Sequence, residues 1–185
     1  MSEPAVSILL PADADVAVTL RCLEALARLP DAPAFEVVIV VGADDHPTRG
    51  LVGGLEGDVR VVIDETGAES AGDAFDRAAA VATAGTLVLL SAHAVPADGW
   101  LGALLAPLAA PGDVAVLPRS LTTGGIDLPE ASWLALAVRA EPYLGVGGFA
   151  ATRRLGRAEK GTLLDALRAD GGTVAAAGAA VLLAP

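Results

Sequence analysis

Apolar residues in this chain follow two alternating rhythms: short, almost wholly apolar runs, and longer stretches where they recur every three or four positions. Val6–Pro11 (VSILLP) is a run of the first kind. It ends in a proline, which has no N–H to give a sheet ladder, so the pattern predicts a buried strand that stops at a loop. The next stretch predicts a helix over Val16–Leu29, capped by Asp13 or Asp15 and ended by Pro30, with Leu20, Leu23, Leu26 and Ala27 at helical spacing. Phe35–Val41 (FEVVIVV) is β-branched and uninterrupted, as expected of a strand covered on both faces.

The alternation continues. A loop over Gly42–Pro47 leads to a short helix near Thr48–Leu55, and Val59–Ile63 reads as a third strand. Ser70–Ala84 is Ala-rich and helical, with Gly85 expected to close it. Thr86–Leu90 is a fourth strand, Asp98–Leu108 a helix and Val114–Pro118 a fifth strand. After Arg119 the pattern predicts a turn over Thr122–Gly125, a strand over Trp133–Arg139 and a short helical connection over Glu141–Gly148. A last helix follows over Glu159–Ala169, then two small apolar runs, Thr173–Ala177 and Ala180–Leu183.

Strands separated by helices of this length imply right-handed crossovers. They predict an α/β fold, a mostly parallel central sheet with helices on both faces. Ligands bind such sheets beyond the carboxyl ends of the strands, which singles out the loops Pro11–Asp15, Gly42–Pro47, Asp64–Gly72 and Ser91–Pro96. No repeat or linker interrupts the pattern, so residues 1–185 read as a single domain.

Composition narrows the partners. Hydrophobic residues make up 54% of the chain and aromatics 3%, so the core must be assembled from Ala, Val and Leu. The formal net charge is −11. Such a surface repels phosphate backbones and anionic headgroups, which argues against nucleic acid and membrane surfaces as partners. It also opposes a nucleotide diphosphate unless a cation or a local basic patch intervenes. The single cysteine, Cys22, lies in a helical stretch and reads as a small buried hydrophobe. Met1–Pro4 has no basic residue and no apolar run approaches the ~20 residues of a membrane span, so the expected location is cytoplasmic.

Five segments in order carry a resemblance. VSILLPADADVAVTLRCLEALARL resembles the first strand, proline-containing loop and Thr-Leu helix of the family 2 glycosyltransferases, nucleotide-diphospho-sugar transferases of the GT-A (Rossmann-like) fold. FEVVIVVGADDHPT resembles their second strand and its polar loop. LVLLSAHAVPADGWLGALLAPL resembles the strand that carries their Asp-x-Asp motif, followed by Val-Pro and Trp-Leu. LALAVRAEPYLGVGGF resembles the acceptor-side strand ending in Val-Gly-Gly-Phe, and GRAEKGTLLDALRADGGTV falls where the family has a Glu-Asp pair opening a helix. The resemblance implies a GT-A-like sheet and a nucleotide-sugar ligand, with Pro11, Asp13, Asp44, Ser91, His93, Arg153 and Arg154 as candidate donor-binding residues.

The departures from the family pattern bear on chemistry. The Asp-x-Asp motif holds Mg²⁺ or Mn²⁺, which neutralises the donor diphosphate and stabilises the leaving group. The matching residues here are Ser91, Ala92 and His93. Some GT-A families use a His at the third position as a metal ligand, but that use needs a carboxylate beside it. Ala184 falls where many relatives have a metal-binding His. Lys160 replaces the Asp of the Glu-Asp pair, leaving Glu159 as the candidate base, because a protonated Lys cannot accept a proton. Asp76-Arg77 stands where the family has Arg-Asn, and Gly42-Ala43 where it has a donor-contacting carboxylate, with Asp44 and Asp45 just beyond.

Plainer readings stand beside these. Arg153–Lys160 is either a basic loop closing over a diphosphate or a solvated helix start. Asp44-Asp45-His46 suits a loop cap better than a metal triad. Glu159 also suits the first turn of a helix, where the dipole favours a carboxylate. Trp100 and Trp133 read as core, and Asp13 and Asp15 as helix caps. The expected function is that of a glycosyltransferase-like binding or accessory protein, a pseudoenzyme candidate with a diverged, metal-free donor site and no cofactor. The alternatives are an inverting transferase, either metal-independent or using Mn²⁺ or Mg²⁺ through an unusual ligand set, and an oligomeric interaction domain. A homo-oligomer or a pathway-enzyme partner suits the first and last of these.

Overall fold

The computed structural model describes residues 4–30, 32–55, 57–65, 70–122, 134–153 and 159–184. Among the described residues eight strands form one sheet: β1 (Val6–Pro11), β2 (Phe35–Gly42), β3 (Val59–Asp64), β4 (Thr86–Leu90), β5 (Val95–Pro96), β6 (Asp113–Thr122), β7 (Ala135–Arg139) and β8 (Thr173–Ala184). Their order is β3-β2-β1-β4-β7-β6-β8-β5. The sheet is mostly parallel, with four parallel neighbour pairs. The antiparallel pairs are β4–β7, β6–β7 and β5–β8.

Both faces are covered, as the unbroken apolar runs require. Alternate residues of one strand serve opposite cores. Ile8 and Leu10 of β1, with Ile39 and Val41 of β2, pack under α1 (Val16–Ala27) and α4 (Trp100–Leu105). Leu9, Val38 and Val40 face the other way, against α3 (Ala71–Val81) and α7 (Glu159–Ala169). Trp100 is fully buried, in agreement with its reading as core; Trp133 lies outside the described residues.

Several boundaries differ from the sequence pattern for identifiable reasons. Helix α2 (His46–Val52) starts earlier than predicted, because Asp45 caps it through the Thr48 N–H at 3.1 Å and Pro47 suits a first turn. Gly85 does not close α3. The helix stops at Val81, Ala82 turns extended, and the chain then delivers Thr83 N–H and Oγ–H to Glu36 Oε1 at 2.7 Å each. The helix expected over Asp98–Leu108 runs only through Trp100–Leu105 before Pro107 tightens the chain into a 3-10 turn over Ala106–Ala109.

The connection after β7 is two helices, α5 (Ala140–Gly145) and α6 (Gly148–Arg153), separated where Gly147 and Gly148 take φ of 80° and 58°. The last two predicted runs are one strand, β8. Its pairing with β6 shifts between Pro118↔Ala177 and Arg119↔Val181, which leaves the intervening residues of β8 as an irregularity. Most of the turn predicted over Thr122–Gly125 lies outside the described residues.

Glu36 and Ser7 tie the amino-terminal ends of the strands together. Ser7 Oγ donates to Glu36 Oε1 at 2.6 Å and accepts from Ala84 N–H at 3.0 Å, while Arg60 lies 3.4 Å from Glu36 Oε2. Burial acts to raise the Glu36 pKa. The hydrogen bonds from Ser7 and Thr83, with Arg60, outweigh it and hold the carboxyl below its usual range.

Candidate donor site

Strand order turns at β1: β2 and β3 lie to one side of it and β4 to the other. Such a turning point leaves a crevice beyond the carboxyl ends of the strands. Here it is a cleft with two lobes that share Pro11 and Ala12. One lobe, of about 320 Å³, runs between the ends of β1 and β4 and is lined by Asp13, Gly72, Phe75, Ser91, His93 and Phe149 among others. The other, also about 320 Å³, lies over the ends of β2 and β3 and is lined by Asp44, Asp45, Asp64 and Glu65. Four of the candidate donor residues, Pro11, Asp13, Ser91 and His93, therefore meet in one lobe. Asp44 lies in the adjoining one.

The β1 loop is held in place by its own side chains. Asp13 N–H donates to the buried Thr19 Oγ1 at 2.9 Å, and Asp15 N–H donates to Asp13 Oδ1 at 2.8 Å. Asp15, not Asp13, caps α1, through Ala17 N–H at 3.0 Å. Asp13 keeps Oδ2 free of the loop and directs it across the cleft, where it lies 2.9 Å from His93 Nε2. An ionised carboxylate only accepts, so the shared proton sits on Nε2.

The β4 loop is equally determined. Ser91 N–H donates to Leu134 O at 2.8 Å, and Ser91 O accepts from Ala94 N–H at 2.9 Å. His93 N–H reaches Ser91 Oγ at 3.3 Å. Below the loop, the Cys22 thiol points at Ser91 O at 3.9 Å. Burial pushes that thiol up to about 12, which keeps it un-ionised, the inert buried residue expected.

Positions 91–93 alone offer a hydroxyl and an imidazole, a poor set for a hard cation. The fold adds the carboxylate of Asp13 beside that imidazole. The donor set at His93 is thus larger than its own strand supplies, but one carboxylate and one imidazole remain a poor set for Mg²⁺ or Mn²⁺, which favour several oxygen ligands. Among the described residues no cluster of three or more His, Cys, Asp or Glu side chains converges as a metal site.

The far wall is fixed by Asp76, whose role the sequence did not disclose. Asp76 Oδ1 accepts from Tyr143 Oη at 2.5 Å and from Phe149 N–H at 3.0 Å, and Oδ2 accepts from Ala150 N–H at 2.7 Å. A residue of α3 thereby caps α6 from across the fold. Phe149, so placed, lines the cleft and packs on Phe75 with ring centroids 5.9 Å apart. Burial first, and then the hydrogen bond and charge of Asp76, raise the Tyr143 pKa well above its ordinary value. The neighbouring Arg77 pairs with the buried Asp64 at the edge of the acidic lobe.

Arg153 ends α6 and Glu159 begins α7, but the side chains of both lie outside the described residues, as does Arg154 entirely. The sheet does bring the backbones of α6 and α7 together on the side of the cleft that Asp76 fixes. No helix among the described residues is long and apolar enough to cross a membrane.

Comparison with known proteins agrees with this geometry. The sequence profile described as Glycosyl transferase family 2 matches residues 7–148. No curated protein sequence matches the chain. Among solved structures, the mannosyltransferase PcManGT from Pyrobaculum calidifontis, in complex with GDP-Man and Mn2+, superposes with a TM-score of 0.79 at 19% identity, over 99% of this chain and 57% of that one. S. aureus TarS 1-349 in complex with UDP-GlcNAc gives a TM-score of 0.75 at 15% identity, over 97% of this chain and 58% of that one. A mycobacterial protein gives 0.68 at 18% identity, covering 98% and 68%. These likenesses show the fold; this chain spans less than two thirds of the first two structures.

Proposed function

The chain belongs to glycosyl transferase family 2, and on that premise we propose that it is a nucleotide-diphospho-sugar-binding protein with a diverged donor site, acting as a binding or accessory component. We read residues 1–185 as one such domain. The observation that carries the reading is the combination found in the β1–β4 cleft. The cavity and its scaffold persist, with Pro11, Phe75 and Phe149 in its walls, while Ser91-Ala92-His93 stands where paired carboxylates would support transfer. Similar folds have been solved with GDP-Man and with UDP-GlcNAc, which supports a nucleotide-sugar as the ligand class. One reduced, buried cysteine is in keeping with a cytosolic setting. A second copy or a pathway enzyme is the proposed partner.

A second reading, an inverting transferase, is favoured by one observation: Asp13 Oδ2 stands 2.9 Å from His93 and restores a carboxylate to the donor side. In that reading Glu159 is the base that takes the acceptor hydroxyl proton and Arg153 and Arg154 bear on the diphosphate. Calorimetric titration with UDP, GDP and their sugars, paired with an assay for released nucleoside diphosphate, separates the two. Saturable binding without release over hours supports the binding protein. Sustained turnover that Glu159→Gln abolishes, while donor affinity is spared, supports the transferase.

A further inference from the structure

The two edges of the sheet are finished differently. At one edge β5 is two residues long and contains Pro96, and short or proline-bearing edges resist pairing. At the other, β3 runs six residues with no proline, lysine or bulge. Val37 N–H donates to Asp58 O and Ala43 N–H to Asp64 O, which fixes the phase of the β2–β3 ladder. Even-numbered residues of β3 therefore bond to β2, and odd-numbered ones turn their N–H and C=O outward. Val59 N–H is returned to Gly57 O, but the outward groups of Val61 and Ile63 meet no strand among the described residues. Val61 is itself an exposed apolar side chain. Beside it on α3 lies another, Val81, whose carbonyl accepts from Arg60.

We propose that β3 is the contact through which two copies of this chain pair edge to edge, as antiparallel strands about a two-fold axis at Val62. The choice of centre follows from charge. Centred on Arg60, the guanidinium would face its own copy; centred on Val61, Asp58 would face Asp64; centred on Ile63, Val61 would face Glu65. Centred on Val62, Val61 faces Ile63 and Arg60 faces Asp64, apolar on apolar and basic on acidic. Like charges directly opposite are destabilising, so only this register is fully complementary. Self-complementarity is what singles out a second copy over a strand from another protein.

Arg60 and Asp64 already pair within their own copy, with Glu36 and Arg77. They select the register, while the attraction comes from the outward ladder groups and the apolar row. Each copy carries a net charge of −11, so long-range repulsion opposes the contact and salt should strengthen it. The paired strands run in opposite directions, so the two clefts, which lie beyond the carboxyl ends of the strands, open at opposite ends of the joined sheet. The contact is independent of what the clefts bind.

Sedimentation velocity of the intact chain from about 10 µM to 1 mM suits a contact of this small size. The expected result is a monomer–dimer equilibrium whose dimer fraction grows with salt. The Val61 and Ile63 amides should gain hydrogen-exchange protection as concentration rises, while those of Arg60 and Val62, bonded to β2, stay protected throughout. Val61→Pro removes an outward N–H and no bond to β2, so it should weaken dimerisation roughly tenfold or more with an unchanged circular dichroism spectrum. Mild oxidation should link two copies of Val62→Cys but not of Val61→Cys, because only position 62 meets itself and Cys22 is buried. A chain that is monomeric at every concentration overturns the proposal and leaves the edge to a strand of a different protein. A dimer unaffected by Val61→Pro, or one that cross-links through position 61, overturns it as well.

Discussion

Asp76 Oδ1 occupies the space that a Cβ on Gly148 would need. The two residues are joined across the fold because α6 begins at Gly148, with φ of 58°, and its first N–H groups point at that carboxylate. The Gly-Gly step is therefore a fitted joint that lets a carboxylate on α3 approach the backbone closely. It sets the position of Phe149, and with it one wall of the cleft.

That joint predicts a graded mutational series. Gly148→Ala combines a left-handed backbone cost of about 1–2 kcal/mol with a collision, so a loss above 2 kcal/mol is expected in denaturant unfolding. Asp76→Ala leaves Tyr143 Oη and two N–H groups without their acceptor and costs roughly 3 kcal/mol. Asp76→Asn, which retains one oxygen, falls between wild type and Asp76→Ala. If Asp76→Ala unfolds at the wild-type denaturant concentration, the joint contributes nothing to stability.

Glu36 governs an acid limb of stability. Its carboxyl is held low in the folded chain, by hydrogen bonds that outweigh burial, whereas in the unfolded chain it titrates near the ordinary value of about 4.3. Its contribution is complete above that unfolded value and is lost as pH falls through the lowered folded value. Thermal unfolding of Glu36→Gln should show a deficit of roughly 1–3 kcal/mol at pH 7 that narrows below pH 4. A deficit that stays constant from pH 7 to pH 3 contradicts this assignment.

Cys22 is expected to be silent in the native state. Fully buried and with its thiol pushed up to about 12, it offers almost no thiolate at pH 8. A chromogenic disulfide reagent should label it only after unfolding in guanidinium. Native labelling within minutes would place the thiol at the surface, against the packing of α1 on the sheet.

Most of the sheet was legible from pattern because parallel strands covered on both faces have to be continuous apolar runs; Phe35–Gly42 is the clearest case. Helix ends were less legible. Val81 ends α3 because Glu36, 47 residues away from Thr83, claims the backbone that follows, and no local signal records that. The two-residue β5 was invisible, since Val95 and Pro96 become a strand only by meeting β8. The site was half legible. Pro11, Ser91 and His93 stood out by their place in the family pattern. The Asp13–His93 pair joins residues 80 apart, and Asp13 had a sufficient local explanation as a helix cap.

Restoring the missing carboxylate should strengthen the site. Ser91→Asp adds a carboxylate two residues before His93, on a loop already fixed by Leu134 O. Affinity for a nucleoside diphosphate in Mn²⁺ should rise about tenfold, a gain near 1.4 kcal/mol, and the gain should vanish in a chelator. A gain of the same size without metal would point to a conformational effect instead.

The proposed function requires the β1–β4 cleft to receive a nucleotide diphosphate without motif carboxylates at positions 91–93. Isothermal titration of the intact chain with GDP and UDP in Mn²⁺ addresses this most directly. The predicted result is saturable binding of at least one of them at one site per chain, weakened at least tenfold in Asp13→Asn. No heat of binding for either nucleotide at millimolar concentration, from protein shown to be folded, would contradict it.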